Sequence, residues 1–151
     1  MNPDRRTLLK LAGGAGLASL TPLFPAWAQT GSAGIAPTLP TLSGADIALS
    51  VAHTPFSVGG RTGHAVTVNG TLPAPLLRLR EGQTARLSVT NALDEDTSIH
   101  WHGVRVANGM DGIPWLTQAP VQPGESYVYD FVPPDAGTFF FHPHCNETGQ
   151  I

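Results

Sequence analysis

Of the six histidines in the 151-residue chain, four fall in two His-x-His pairs, His100-Trp101-His102 and His142-Pro143-His144. Six histidines placed at random yield about 0.2 such pairs, so two of them point to a built site. On a β-strand, residues i and i+2 project from the same face. Each pair therefore presents two imidazoles side by side, while Ile99 and Trp101 turn to the opposite, packed face. Pro143 has no N–H to donate, which puts the second pair at a strand end or on an edge. Four convergent neutral imidazoles with no thiolate in the motif suit copper, and the same donors accommodate zinc or iron. One pair alone reads equally well as edge-strand surface histidines; both together read as a metal site.

The elements that must position these side chains are strands. Short runs of period two alternate with turn clusters: Ile47–Ala52, His64–Val68 closed by Asn69-Gly70, Leu76–Arg80 before a Glu81-Gly82 turn, Thr84–Thr90, Ser98–His102, Ser126–Val132 and Thr138–His142. In Thr84–Thr90, Ala85, Leu87 and Val89 face one way and the polar residues the other. Seven strands with Pro/Gly turns predict an all-β fold, an antiparallel Greek-key β-sandwich. Tyr127, Tyr129 and Phe131, with Phe139 and Phe141, keep period two and are expected in the core. No closing strand follows the second histidine pair, so the sandwich is expected to be incomplete at its C-terminus. His53 and His64 read as surface or strand-end residues. Cys145 adjoins His144, but alternation turns it away, as a packed or semi-exposed thiol.

Composition narrows the function classes. Seventeen glycines and fourteen prolines make up about a fifth of the chain, too many for a helical bundle. At the N-terminus, Arg5-Arg6 precedes a weakly apolar run from Leu11 to Leu23, broken by Gly13, Gly14, Gly16 and Pro22, and then Ala26-Trp27-Ala28. The run is too interrupted for a membrane span. The whole resembles a twin-arginine signal peptide over residues 1–28, implying the twin-arginine export machinery as a partner and a periplasmic destination. Residues 29–45 read as a flexible linker and 46–151 as the folded domain. Without residues 1–28 the chain has a net charge of about −5 and no lysine, a surface that excludes nucleic acid as a partner. A single cysteine excludes an internal disulfide and any Cys-x-x-Cys motif.

Several motifs, in order, resemble the N-terminal, plastocyanin-like cupredoxin domain of bacterial multicopper oxidases of the laccase-like and copper-resistance type. They are Asn69-Gly70-Thr71-Leu72-Pro73-Ala74-Pro75, Leu79-Arg80-Glu81-Gly82, His100-Trp101-His102-Gly103, Met110-Asp111-Gly112-Ile113-Pro114, Pro120-Val121-Gln122-Pro123-Gly124 and Gly137-Thr138-Phe139-Phe140-Phe141-His142-Pro143-His144. The resemblance covers residues 47–151. It implies that His100 ligates a type 2 copper and that His102, His142 and His144 ligate the type 3 pair of a trinuclear centre. The other trinuclear ligands and the type 1 copper are then expected in a C-terminal part absent here, with the remaining cupredoxin domains of the same chain as partners. The implied activity oxidises a small-molecule or metal-ion donor (a phenol, Cu(I) or Mn(II)) by one-electron steps and reduces O2 to water; this segment alone is expected to be inactive.

The resemblance also places an acidic residue, Asp111, near the type 2 copper. Reducing O2 consumes protons, so a carboxylate there is a candidate catalytic relay; Asp111-Gly112 also reads simply as a turn. A copper nitrite reductase-like enzyme and a non-enzymatic copper-binding or structural cupredoxin remain alternative readings. The order of the two His-x-His pairs and the presence of all four histidines favour the oxidase.

Overall fold

The computed structural model describes residues 38–151; the proposed signal peptide and most of the linker lie outside the described residues. Eight strands follow: β1 (Thr41–Ser43), β2 (Asp46–Val58), β3 (Arg61–Val68), β4 (Leu76–Arg78), β5 (Ala85–Asn91), β6 (Ile99–His102), β7 (Ser126–Phe131) and β8 (Phe140–Pro143). All seven strands expected from periodicity are present, so the all-β expectation holds. The eighth, β1, lies in the segment read as linker and pairs parallel with β4. A 3-10 turn, Asn108–Met110, and one α-helical turn, Glu147–Gln150, complete the elements.

β3, β2, β5 and β7 form one sheet, while among the described residues β6 pairs only with β8. The expectation of a wholly antiparallel sandwich is corrected, because β2 runs parallel to β5 from Asp46 to Val51. Beyond that point the same strand runs antiparallel to β3 as far as Val58. Parallel neighbours need a long connection, and residues 59–84 supply it. Side-chain alternation has period two in either orientation and is silent on the difference. β2 also continues six residues past its expected end. Pro55 and a lack of buried residues hide that extension, whose hairpin closes on Gly59-Gly60, both at positive φ as a primed turn requires.

Ile47, Leu49 and Val51 of β2, Ala85, Leu87 and Val89 of β5, and Tyr129 and Phe131 of β7 form the core together with Ile99 and Trp101 of β6. Trp101 is the hinge of this packing, with ring centroids 5.2 Å from Tyr129, 5.5 Å from Phe131 and 5.7 Å from Phe141. Phe139 departs from its expected core position and is 43% exposed. β8 begins only at Phe140, so the alternation does not extend back to Phe139, whose ring lies over Gly103 and beside Gly137.

The entry to β6 is held by buried polar groups. Asn91 donates to the carbonyls of Glu95 and Val121 and accepts from the Leu93 amide. Thr97 exchanges backbone hydrogen bonds with Val121 and donates through its hydroxyl to buried Gln150. Paired in this way, these groups avoid the cost of unsatisfied burial and fix the register of the strand that carries the first histidine pair.

Candidate metal centre

The register of β6 against β8 builds the site. Ile99 faces Pro143, His100 faces His142, Trp101 faces Phe141 and His102 faces Phe140. Alternation sends Ile99 and Trp101 into the core and leaves His100, His102 and His142 on the outer face, as expected from the sequence. One ring nitrogen from each of these three lies within 4.8 Å of the others. Their ring centroids are 5.4 to 5.6 Å apart; His100 meets the other two edge-on, at 69° and 78°, and His102 and His142 are inclined by 45°.

Hydrogen bonds determine which nitrogens are free. His100 Nδ1 donates to the main-chain carbonyl of Asp111 at 2.7 Å, leaving Nε2 with its lone pair. His142 Nδ1 donates to the Pro143 carbonyl at 2.8 Å, again freeing Nε2. His102 is turned the other way, with its Nδ1 3.4 Å from His142 Nε2. Two nitrogens bound tetrahedrally to one first-row ion at ~2 Å lie about 3.3 Å apart, so this pair fits a shared ion. The donor set is all imidazole and suits copper.

His144 falls outside the cluster of ring nitrogens although its ring is close, 5.6 Å from that of His100 and 5.9 Å from that of His142. Its Nε2 faces the Glu147 carboxylate at 3.4 Å. Nothing in the sequence pattern pointed to Glu147, because its approach depends on the helical turn after His144. Asp111 does come to the site, though chiefly through its backbone: its carboxylate is 3.6 Å from His100 Nδ1, farther than its carbonyl. Gly112 makes this possible. It has φ +81°, and a Cβ there would overlap the Ile99 carbonyl, so only glycine lets the loop lie on β6. The loop is held from behind by Tyr127, whose hydroxyl donates to the Gly109 carbonyl at 2.8 Å.

The rim is fixed by Arg105, which donates through two guanidinium nitrogens to Asp135 at 2.8 and 2.9 Å, tying the chain leaving β6 to the chain entering β8. Both partners are exposed, so the pair sets geometry more than stability. Cys145 is buried, its Sγ 3.9 Å from Ser98 Oγ, and burial pushes its thiol pKa up. His53 and His64 are exposed, away from the cluster, and His53 faces Asp94 at 3.4 Å.

A β-sandwich that gathers imidazoles on one strand pair defines a copper-binding cupredoxin-like domain. The multicopper oxidase family profile matches residues 50–150, and the chain belongs to that family of copper-dependent oxidoreductases. It is 42% identical to copper resistance protein A of Pseudomonas syringae pv. tomato over 98% of its own length, and 36% identical to copper resistance protein A of Escherichia coli over 95%. The chain spans 24% of the length of each. Its fold is similar to that of a multi-copper oxidase from Pseudomonas thermotolerans, with a TM-score of 0.68 at 40% identity, over 75% of this chain and 27% of that one. Among the readings the sequence left open, the family match supports the oxidase.

Proposed function

We propose that the chain supplies four histidines to the trinuclear copper centre of an exported multicopper oxidase, which oxidises a donor by one-electron steps and reduces O2 to water. The observation that carries this reading is the convergence of His100, His102 and His142 with their free nitrogens inward. Copper bound there supplies one-electron redox chemistry and a site for O2. His100 would hold the type 2 ion through Nε2. His102, His142 and His144 would hold the type 3 pair, His144 once turned from Glu147. The Asp111 carbonyl fixes the His100 ring, and the Asp111 carboxylate, partly open to solvent, holds and passes protons that O2 reduction consumes.

Domains outside this chain supply the remaining ligands, the type 1 copper and the donor site. The name of the Pseudomonas syringae and Escherichia coli relatives, copper resistance protein A, supports a role in copper tolerance. Arg5-Arg6 supports twin-arginine export to the periplasm.

The test measures copper per chain and O2 consumption with a phenolic donor, for this chain and for the product of the gene read beyond residue 151. The chain is expected to bind copper without turnover, and the longer product, carrying His-x-x-His-x-His and His-Cys-His, to turn over. Turnover by the chain alone refutes this division of roles, as does undiminished copper binding after all four histidines are changed to Ala.

A further inference from the structure

Three consecutive phenylalanines precede the second histidine pair, and the fold uses each differently. Phe141 turns inward against Trp101, and Phe139 lies against Gly103 and Gly137. Phe140 does neither. It is 58% exposed, a poor use of a phenyl ring if burial were its purpose. The ladder of β6 and β8 places it directly across from His102, just as His142 sits across from His100. Phe140 therefore occupies the fourth corner of a square whose other three corners are the clustered histidines.

Its ring lies nearly parallel to that of His102, with centroids 4.2 Å apart and planes inclined by 20°. It is also close to parallel with His142, at 5.6 Å and 25°. His102 is the one clustered histidine whose Nδ1 points into the site; His100 and His142 spend Nδ1 on carbonyls. Those two rings are oriented by main-chain acceptors, whereas among the described residues no hydrogen bond other than the one to His142 orients His102. The geometry points to Phe140 as the residue that positions His102, a flat plate holding its ring so that Nδ1 meets His142 Nε2. Stacking fixes the plane of the imidazole, and His142 selects the edge that faces inward. This inference deepens the copper reading of the cluster and rests on it for its consequence, while the ring orientation itself is a property of the metal-free chain.

The experiment compares Phe140→Leu, Phe140→Ala and Phe140→Tyr in the full chain. Nitrogen-15 NMR of metal-free protein reports the tautomer of His102, and competition with a chelator reports copper affinity. In the unsubstituted, metal-free chain His102 is expected to carry its proton on Nδ1, facing His142 Nε2 at 3.4 Å, and copper is expected to displace that proton when it binds there. Phe140→Leu keeps the apolar bulk without the flat face. It is expected to shift His102 to a mixture of tautomers and to weaken copper binding by about tenfold, with the thermal midpoint unchanged. Phe140→Tyr is expected to restore both. Retention of the Nδ1–H form in Phe140→Leu and Phe140→Ala overturns the assignment, as does equal loss in Phe140→Tyr. Failure of the unsubstituted chain to bind copper sinks the metal reading instead and leaves the tautomer comparison to decide the role of Phe140.

Discussion

His100 is oriented by the main-chain carbonyl of Asp111, 2.7 Å from its Nδ1, while the carboxylate of the same residue stays 3.6 Å away. One residue thus divides its contacts: its carbonyl orients the His100 ring, and its carboxylate takes no part in that hydrogen bond.

This division makes Asp111→Asn a clean substitution. The amide is nearly the same size, and the carbonyl bond to His100 is untouched, so copper content in the complete oxidase should stay within about a tenth of the original. The amide cannot shuttle a proton, so O2 consumption should fall by roughly tenfold or more. Copper per chain measured beside the steady-state rate distinguishes the outcomes. Full activity returns Asp111 to a turn residue; loss of copper makes the side chain structural.

Gly112→Ala attacks the other half of the arrangement. The new Cβ overlaps the Ile99 carbonyl, and φ +81° is unfavourable for alanine. The loop must lift from β6, carrying the Asp111 carbonyl away from His100. A loss of about 2 kcal/mol or more in urea unfolding is expected, together with weakened copper binding. Unchanged stability and affinity show that the loop is free to move.

The face shared by the histidines was legible in the sequence because it depends on one fact, the alternation of side chains on a strand. His100, His102 and His142 needed only β6 and β8 to exist. That the Asp111 carbonyl and not its carboxylate bonds His100 was not legible, since nothing in a residue's identity tells which of the two will reach a neighbour. Glu147 and Phe140 were missed for a related reason: their roles come from a helical turn and from a cross-strand register, neither of which periodicity encodes. The parallel pairing of β2 with β5 was hidden because period two is common to both strand directions.

His142 and His144 differ in the structure as they do not in the sequence. His142 belongs to the three-residue cluster, whereas the Nε2 of His144 faces Glu147. For the chain by itself, His142→Ala should weaken binding of the first copper ion by about tenfold or more, and His144→Ala by less than about threefold. Chelator competition measures both. Equal losses indicate that His144 turns from Glu147 to join the first ion.

Tyr129 gives the chain an alkaline limit. Its hydroxyl accepts the Ile99 amide at 3.0 Å inside the core, and burial pushes its pKa from 10.0 up to about 12, with the hydrogen bond from Ile99 acting in the opposite, lesser direction. Below about pH 10 the phenol is protonated in both the folded and unfolded chains, so its contribution to stability is fully present and independent of pH. Between about pH 10 and about pH 12 the unfolded chain gives up this proton while the folded chain keeps it. The folded state then binds more protons, and stability falls as pH rises, by up to about 3 kcal/mol across the window. Tyr129→Phe removes the titrating group and leaves the Ile99 amide without its acceptor. It should lower stability by about 1–2 kcal/mol at neutral pH and make the urea midpoint decline less steeply in alkali. Cys145, also pushed up by burial, adds a slope of the same sign from a lower starting pH, so the contribution of Tyr129 is taken from the difference between variant and unsubstituted chain. Parallel alkaline slopes in the two proteins rule out Tyr129 as the residue that sets this limit.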